Sequence, residues 1–332
     1  MIDLGYGSGF NIFTMVTMPM TGPEYVAFSN LIIDDIVLAD GQSFMNILGG
    51  AGTHTVMGML WWCESAGFMA AVGDDLPQHH RRMLEGAGVD LRGLISRPDM
   101  PTPRAWQLFE KDERRVEVFR TSTEEFTRLK PLFSEMPVDY VQATGIHIQW
   151  GDPSEQTHLI SDLRAQNAKV VVSCEPAMTQ QEDGLAENTA VLQAVDLFSP
   201  DRTEAYALTR ETEPWPMVDM LLHAGARMVA LRMGAAGSLV GTANGEYYHV
   251  PAVPPAAFVD VTGAGNAYCG GFLVGLGRGE HVAQAAARAA VSASFAIEQF
   301  GPPKINASTR AEALQRMQWA LNRIRVGKIT DL

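Results

Sequence analysis

The sequence predicts an α/β fold: a doubly wound sheet flanked by helices, with a small β lid. Three observations point there. From Asp139 onward, short apolar runs alternate with helical segments, the pattern of a parallel sheet with helical crossovers. Between Pro101 and Arg120, two runs of alternating polarity flank the charged turn Lys111–Arg115, which reads as a β-hairpin. The stretch Asp260-Val261-Thr262-Gly263-Ala264-Gly265-Asn266-Ala267-Tyr268-Cys269-Gly270-Gly271-Phe272 sets glycines between a strand (Tyr247–Val250) and an apolar helix. A chain of 332 residues, 46% hydrophobic and 19% charged, suits one α/β unit with a small insert.

Composition narrows the function. A net charge of -13 and a pI near 5.0 argue against nucleic acid or an anionic membrane as the main partner. ATP stays compatible, because a local cluster of amides and a few arginines suffices. Cys63, Cys174 and Cys269 form no CxxC pair and are odd in number, so a reducing, cytoplasmic setting is expected. The first 80 residues hold no Lys or Arg, which disfavours a secretory signal or a transit peptide. The uncharged run Gly41–Cys63 is long enough to span a bilayer. Gly49, Gly50 and Gly52 interrupt it and no basic residue flanks it, so it reads as a buried loop and helix.

Glycines at a loop-to-helix junction let backbone N–H groups converge where the helix dipole adds positive charge, which makes an anion site. The 260–272 stretch resembles the second signature of the ribokinase-like (PfkB) family of sugar and nucleoside kinases, Asp-x-x-Gly-Ala-Gly-Asp followed by small residues. The resemblance covers about residues 25–325. It implies that Gly263, Ala264 and Gly265 form the anion hole for the transferred phosphoryl, with Thr262 beside the nucleotide. It implies a catalytic base at position 266, where this chain has Asn266.

Taken in order, residues 1–24 read as an N-terminal extension. Its Asp3-Leu4-Gly5-Tyr6-Gly7-Ser8-Gly9 resembles the first motif of S-adenosylmethionine-dependent methyltransferases, but only Met1 and Ile2 precede it, too few for a strand. Residues 25–325 read as the ribokinase-like domain, with the lid contributed by about 36–47 and 101–121, and 326–332 as a tail. Tyr25–Asn30 reads as a buried strand. The family places a substrate-binding Asp shortly after it, matched by Asp34 or Asp35, with Asp35 preferred; a carboxylate accepts two hydrogen bonds from vicinal hydroxyls. Gly49 and Gly50 match the family's Gly-Gly substrate motif, and His54 stands where it has Asn. Arg104 could reach substrate from the lid. Strands are expected over Tyr140–Ile148, Lys169–Ser173 and Ala194–Phe198, and helices over Pro153–Gln166, His281–Gln299 and Leu314–Arg325. Cys174-Glu175-Pro176 loosely matches the family's Asp-x-Asn. Asp201 and Glu204 match Asn-x-x-Glu, which organises Mg²⁺ through water; the same pair also reads as a helix cap with an acidic first turn. Arg232, Gly234 and Gly237 match the Thr-x-Gly-x-x-Gly segment beside the nucleotide. There Arg232 could grip phosphate or occlude the usual nucleotide pose. Asp260 marks a candidate monovalent-cation (K⁺) site.

The resemblance implies phosphoryl transfer from ATP, with Mg²⁺, to a sugar or nucleoside hydroxyl, and a homodimer through the lid. Asn266 cannot accept a proton near neutral pH, so a rate about 10²–10⁴-fold lower is expected, recoverable by Asn266→Asp. Asn266 is an engineered change, a native one with Asp35 or His54 taking the proton, or the mark of a non-catalytic sugar- or nucleotide-binding regulator. The further departures His54, Asp201 and Arg232 favour a natural divergent chain.

Overall fold

The computed structural model describes residues 22–110, 115–176 and 184–328. The Asp3–Gly9 motif and nearly all of the expected extension lie outside the described residues. The central sheet has eleven strands. Tyr25–Phe28 lies inside it, toward one edge, paired in parallel with Ala66–Gly73 on one side and Gly145–Ile148 on the other. Val171–Cys174, Leu197–Phe198 and Met228–Arg232 continue in parallel. Ser238–Thr242, Tyr247–Val250 and Arg325–Val326 close that edge antiparallel.

The central strands are buried on both faces, which explains why they read as unbroken apolar runs. Alternate side chains feed two layers. Tyr25 and Ala27 pack with helices Ala51–Leu60, Ala264–Gly277 and Val282–Ala296. Val26 and Phe28 pack with Pro153–Gln166, Leu185–Ala194 and Pro214–His223. Helices Ala51–Leu60 and Ala264–Gly277 meet backbone to backbone. A Cβ at Gly270 would stand 2.1 Å from the Thr55 carbonyl oxygen, and one at Gly58 would stand 2.2 Å from that of Ala267. This contact hangs the 260–272 turn on the core. Gly270→Val is therefore expected to destabilise the fold by about 1–3 kcal/mol, the scale of overpacking. An unchanged thermal midpoint would show that the helices can part freely.

A second sheet of four strands orders Ser43–Gly49, Ile32–Val37, Arg104–Phe109 and Arg115–Phe119. It occupies the segments expected to form the lid, reaching a few residues beyond 36–47 on both sides. The uncharged run that begins at Gly41 supplies its first strand and the helix Ala51–Leu60, and no described helix is long and apolar enough to cross a membrane.

Several boundaries differ from expectation. The strand expected over Tyr140–Ile148 is only Gly145–Ile148. Tyr140 sits in the turn before it, its hydroxyl donating to the Asp90 carbonyl at 2.7 Å. Leu197–Phe198 starts late because helix Leu185–Ala194 runs through Ala194. The last helix is Ala307–Leu321, started by Asn306, whose side chain accepts from the Ser308 and Thr309 amides. Val326 is no free tail: it pairs with Tyr248 in the sheet edge.

Candidate active site

A cleft of about 1500 Å³ lies between the lid and the carboxyl ends of the parallel strands. That is more room than one small molecule needs, and the place where open α/β sheets bind ligands. Five of the parallel strands deliver a residue to it from just beyond or at their ends: Asn30, Gln149, Glu175, Asp201 and Arg232.

The 260–266 turn forms the floor. Asp260, buried, accepts from the Thr262 amide at 2.8 Å and sets the turn. Burial raises the Asp260 carboxyl above its ordinary range. Gly263 caps the helix with φ 77°, the left-handed region. The first-turn amides that follow face no intrahelical acceptor, although the Ala264 N–H turns back to the Val261 carbonyl at 3.3 Å. The two glycines make room for two specific side chains. A Cβ at Gly263 would lie 2.0 Å from the His54 ring, and one at Gly265 would lie 2.1 Å from Nη1 of Arg232.

Around this turn runs a charged network. Asn266 Nδ2 donates to Glu175 Oε1 at 2.9 Å. His147 Nε2 pairs with the same oxygen at 3.0 Å, and Arg232 Nη2 sits 2.8 Å from Oε2. Arg232 Nη2 also reaches Glu204 Oε2 at 3.1 Å and the Ser199 carbonyl at 2.9 Å. Burial would raise Glu175, but Arg232, His147 and Asn266 together bring it down to about 2. One guanidinium cannot neutralise two buried carboxylates, so burial pushes Glu204 up to about 7 against the pull of Arg232.

At the lid end, Asp34 and Asp35 point to opposite faces, as adjacent strand residues do. Asp34 lines the cleft. Asp35, the preferred candidate, is turned away: it accepts from the Asn46 amide at 2.9 Å and pairs with Arg120 at 2.7 Å. Asp34 takes the Gln107 amide at 3.0 Å, and burial raises it to about 7. Gly49 stands behind it, where a Cβ would be 1.9 Å from Asp34 Oδ2, while Gly50 lines the cleft. His54 lines the cleft too; burial lowers it to about 4, so it is neutral at physiological pH instead of switching there. Arg104 does not reach the cleft; it pairs with Asp75 at 3.3 Å.

At the other end, Gly234 and Gly237 border a slot walled by Pro251, Val253, Ala290, Ala293 and Ile297. From helix Val282–Ala296 it is lined by the small apolar side chains of Ala290 and Ala293. Asp201 and Glu204 form a reciprocal cap, Asp201 Oδ1 on the Glu204 amide at 2.8 Å and Glu204 Oε2 on the Asp201 amide at 2.6 Å. One oxygen of each carboxylate is engaged by the helix, and that of Glu204 also by Arg232, so the pair suits the expected organisation of Mg²⁺ through water more than direct ligation. The cluster of His147, Glu175 and Cys269 among the described residues could in principle hold a metal. However, it is fully buried, with His147 and Glu175 bonded to each other.

Three cleft residues keep a buried polar atom without a partner: His54 Nδ1, Gln107 Oε1 and Arg232 Nε. Buried polar atoms are normally satisfied, so these mark where a polar ligand fits. Sequence reasoning passed over Gln107, His147 and Arg115, which sit in no motif. Arg115 reaches from the lid to Thr262 Oγ1 at 3.2 Å.

Comparison with known proteins agrees with this geometry. The family model described as pfkB family carbohydrate kinase matches residues 25–308. An uncharacterized protein of Schizosaccharomyces pombe is 27% identical over 327 residues, covering 86% of this chain and 87% of its own. A cytidine kinase of Thermococcus kodakarensis is 26% identical over 267 residues, covering 77% and 89%. Among solved structures, a putative ribokinase II from E. coli in complex with ATP and Mg²⁺ superposes with a TM-score of 0.72 at 19% identity, covering 89% of this chain and 99% of that one.

Proposed function

The chain belongs to the pfkB family of carbohydrate kinases, and we propose that it transfers the γ-phosphoryl of ATP to a hydroxyl of a sugar or nucleoside. The observation that supports this reading is one cleft lined both by the glycine turn Gly263–Asn266 at a helix start and by the buried carboxylate of Asp34. The slot beside Gly234 and Gly237 takes the adenine. The first-turn amides hold the phosphates, and Asp34 holds the acceptor. Asn266 Oδ1 orients the attacking hydroxyl, while its Nδ2 is fixed on Glu175. Mg²⁺ would come bound to ATP and would supply charge to its phosphates, with Asp201 and Glu204 the described carboxylates near enough to meet it through water. Positioning and electrostatics supply most of the rate in this chemistry, so turnover without a carboxylate at 266 is slow but real.

A second reading, a sugar- or nucleotide-binding regulator, is favoured by Asn266 alone. ATP turnover against a panel of sugars and nucleosides separates the two: binding of a panel member without any product supports the regulator.

Asp34 gives the pH dependence. With its carboxyl at about 7, acceptor kcat/KM is expected to rise with pH through that value, as the ionised form gains its second acceptor site. Asp34→Asn is expected to flatten the profile and lower kcat/KM roughly 10–100-fold, the cost of a lost charged hydrogen bond. A profile unchanged by the substitution would remove Asp34 from acceptor binding. The stability sign is opposite. The folded-state pKa lies above the ordinary value, so the stabilisation is present at low pH and fades as pH rises from about 4 to about 7.

A further inference from the structure

Resting on the kinase reading, we propose that Arg232 is a resident phosphate cation. Its guanidinium, in place of a divalent ion held by Asp201 and Glu204, is the protein's own source of positive charge for the phosphate chain of ATP. Arg232 ends the strand Met228–Arg232 and lines the cleft. Nη2 is tied to Ser199, Glu175 and Glu204, so the group is aimed before any ligand arrives. Nη1 packs against Gly265, in the first turn of the anion site, where even one methyl group would collide with it. Helix N–H groups and guanidinium therefore border the same point. Nε is buried and has no partner. A guanidinium stays charged and offers a planar fork of donors that matches phosphate oxygens.

One oxygen of each carboxylate that would organise a divalent ion is already engaged. Asp201 Oδ1 caps the Glu204 amide, and Glu204 Oε2 accepts from the Asp201 amide and from Arg232. A divalent ion placed directly on Glu204 would sit beside a fixed cation and be repelled by it. Glu175 and Glu204 both meet Nη2, which leaves Nη1, beside Gly265, and the unpartnered Nε as the donors for phosphate oxygens. The expected consequence is nucleotide binding that depends weakly on Mg²⁺.

The test is calorimetric titration of the full chain with ATP, in EDTA and in excess Mg²⁺, for the native chain, Arg232→Thr and Gly265→Ala. Arg232→Thr strips Glu175 of a buried partner and can impair folding. Gly265→Ala keeps every charge and suits a helix, while its methyl group takes the place of Nη1. The native chain is expected to bind ATP in EDTA within about threefold of its affinity in Mg²⁺. Both variants are expected to lose about tenfold or more in EDTA, and less in Mg²⁺. Native affinity that collapses in EDTA, or variant losses equal in both conditions, overturns the role of Arg232 and leaves the kinase reading standing. No ATP binding by the folded native chain in either condition overturns both.

Discussion

Asn266→Asp alone is expected to leave phosphoryl transfer no faster than in the native chain. The structure revises the simple expectation that an aspartate restores the missing base. Asn266 Nδ2 lies 2.9 Å from Glu175 Oε1. An aspartate in that place sets two carboxylate oxygens face to face. At 2.9 Å two unit charges repel by roughly 6 kcal/mol even at an effective dielectric constant of 20. One of the pair must therefore hold a proton. Glu175 has Arg232 and His147 as donors and sits near 2, so the new aspartate takes the proton. It then donates O–H to Glu175 as the native amide donates N–H, and it is no base. The double variant Asn266→Asp with Glu175→Gln removes the competing charge, and Glu204 remains to pair with Arg232. That variant is expected to gain about 10²–10⁴-fold in kcat, the usual worth of a general base. Steady-state kinetics on one acceptor decides. A gain of about 10²-fold from the single substitution would show that Glu175 does not govern position 266.

How far the sequence reached follows from the same contacts. The sheet was legible because its strands are buried on both faces and so read as apolar runs bounded by helical patterns. The anion turn was legible because its glycines are demanded by local geometry. Gly263 needs a positive φ, and Gly265 needs to carry no side chain. The network around the turn was not legible. Glu175, His147 and Arg232 come from the ends or interior of three strands, with Leu197–Phe198 between two of them, that only the parallel pairing gathers. Nothing in their sequence spacing records it. The choice between Asp34 and Asp35 failed for a related reason. Both suit the chemistry, and only the strand's pairing fixes which one faces the cleft, with Arg120 arriving from a distant lid strand to hold the other. The strand boundaries that slipped, at Tyr140 and Ala194, are places where buried apolar residues lie in a turn or a helix end, which periodicity does not separate from a strand.

Gly263→Ala is the second large effect to expect, a loss of about 10²-fold or more in kcat from a chain that still folds. Two costs act at one atom. A left-handed backbone with a Cβ costs about 1–2 kcal/mol, and φ at this residue is 77°. The added methyl would also fall 2.0 Å from the ring of His54, which is buried and cannot retreat into solvent. The turn relieves both strains by rotating, and that rotation re-aims the amides after it away from the phosphoryl position. Removing a single well-aimed donor from such a site is worth about 10²–10³-fold in rate. The burden should fall on kcat, because the slot proposed for adenine is built from other residues, among them Gly234, Gly237 and Ala290, and continues to bind the donor. Shrinking the obstacle separates the two strains. Gly263→Ala combined with His54→Ala is expected to recover part of the loss, since it removes the collision and keeps the backbone strain. Full activity in Gly263→Ala, with an unchanged thermal midpoint, would mean that the 260–266 turn is not where the phosphoryl group is held.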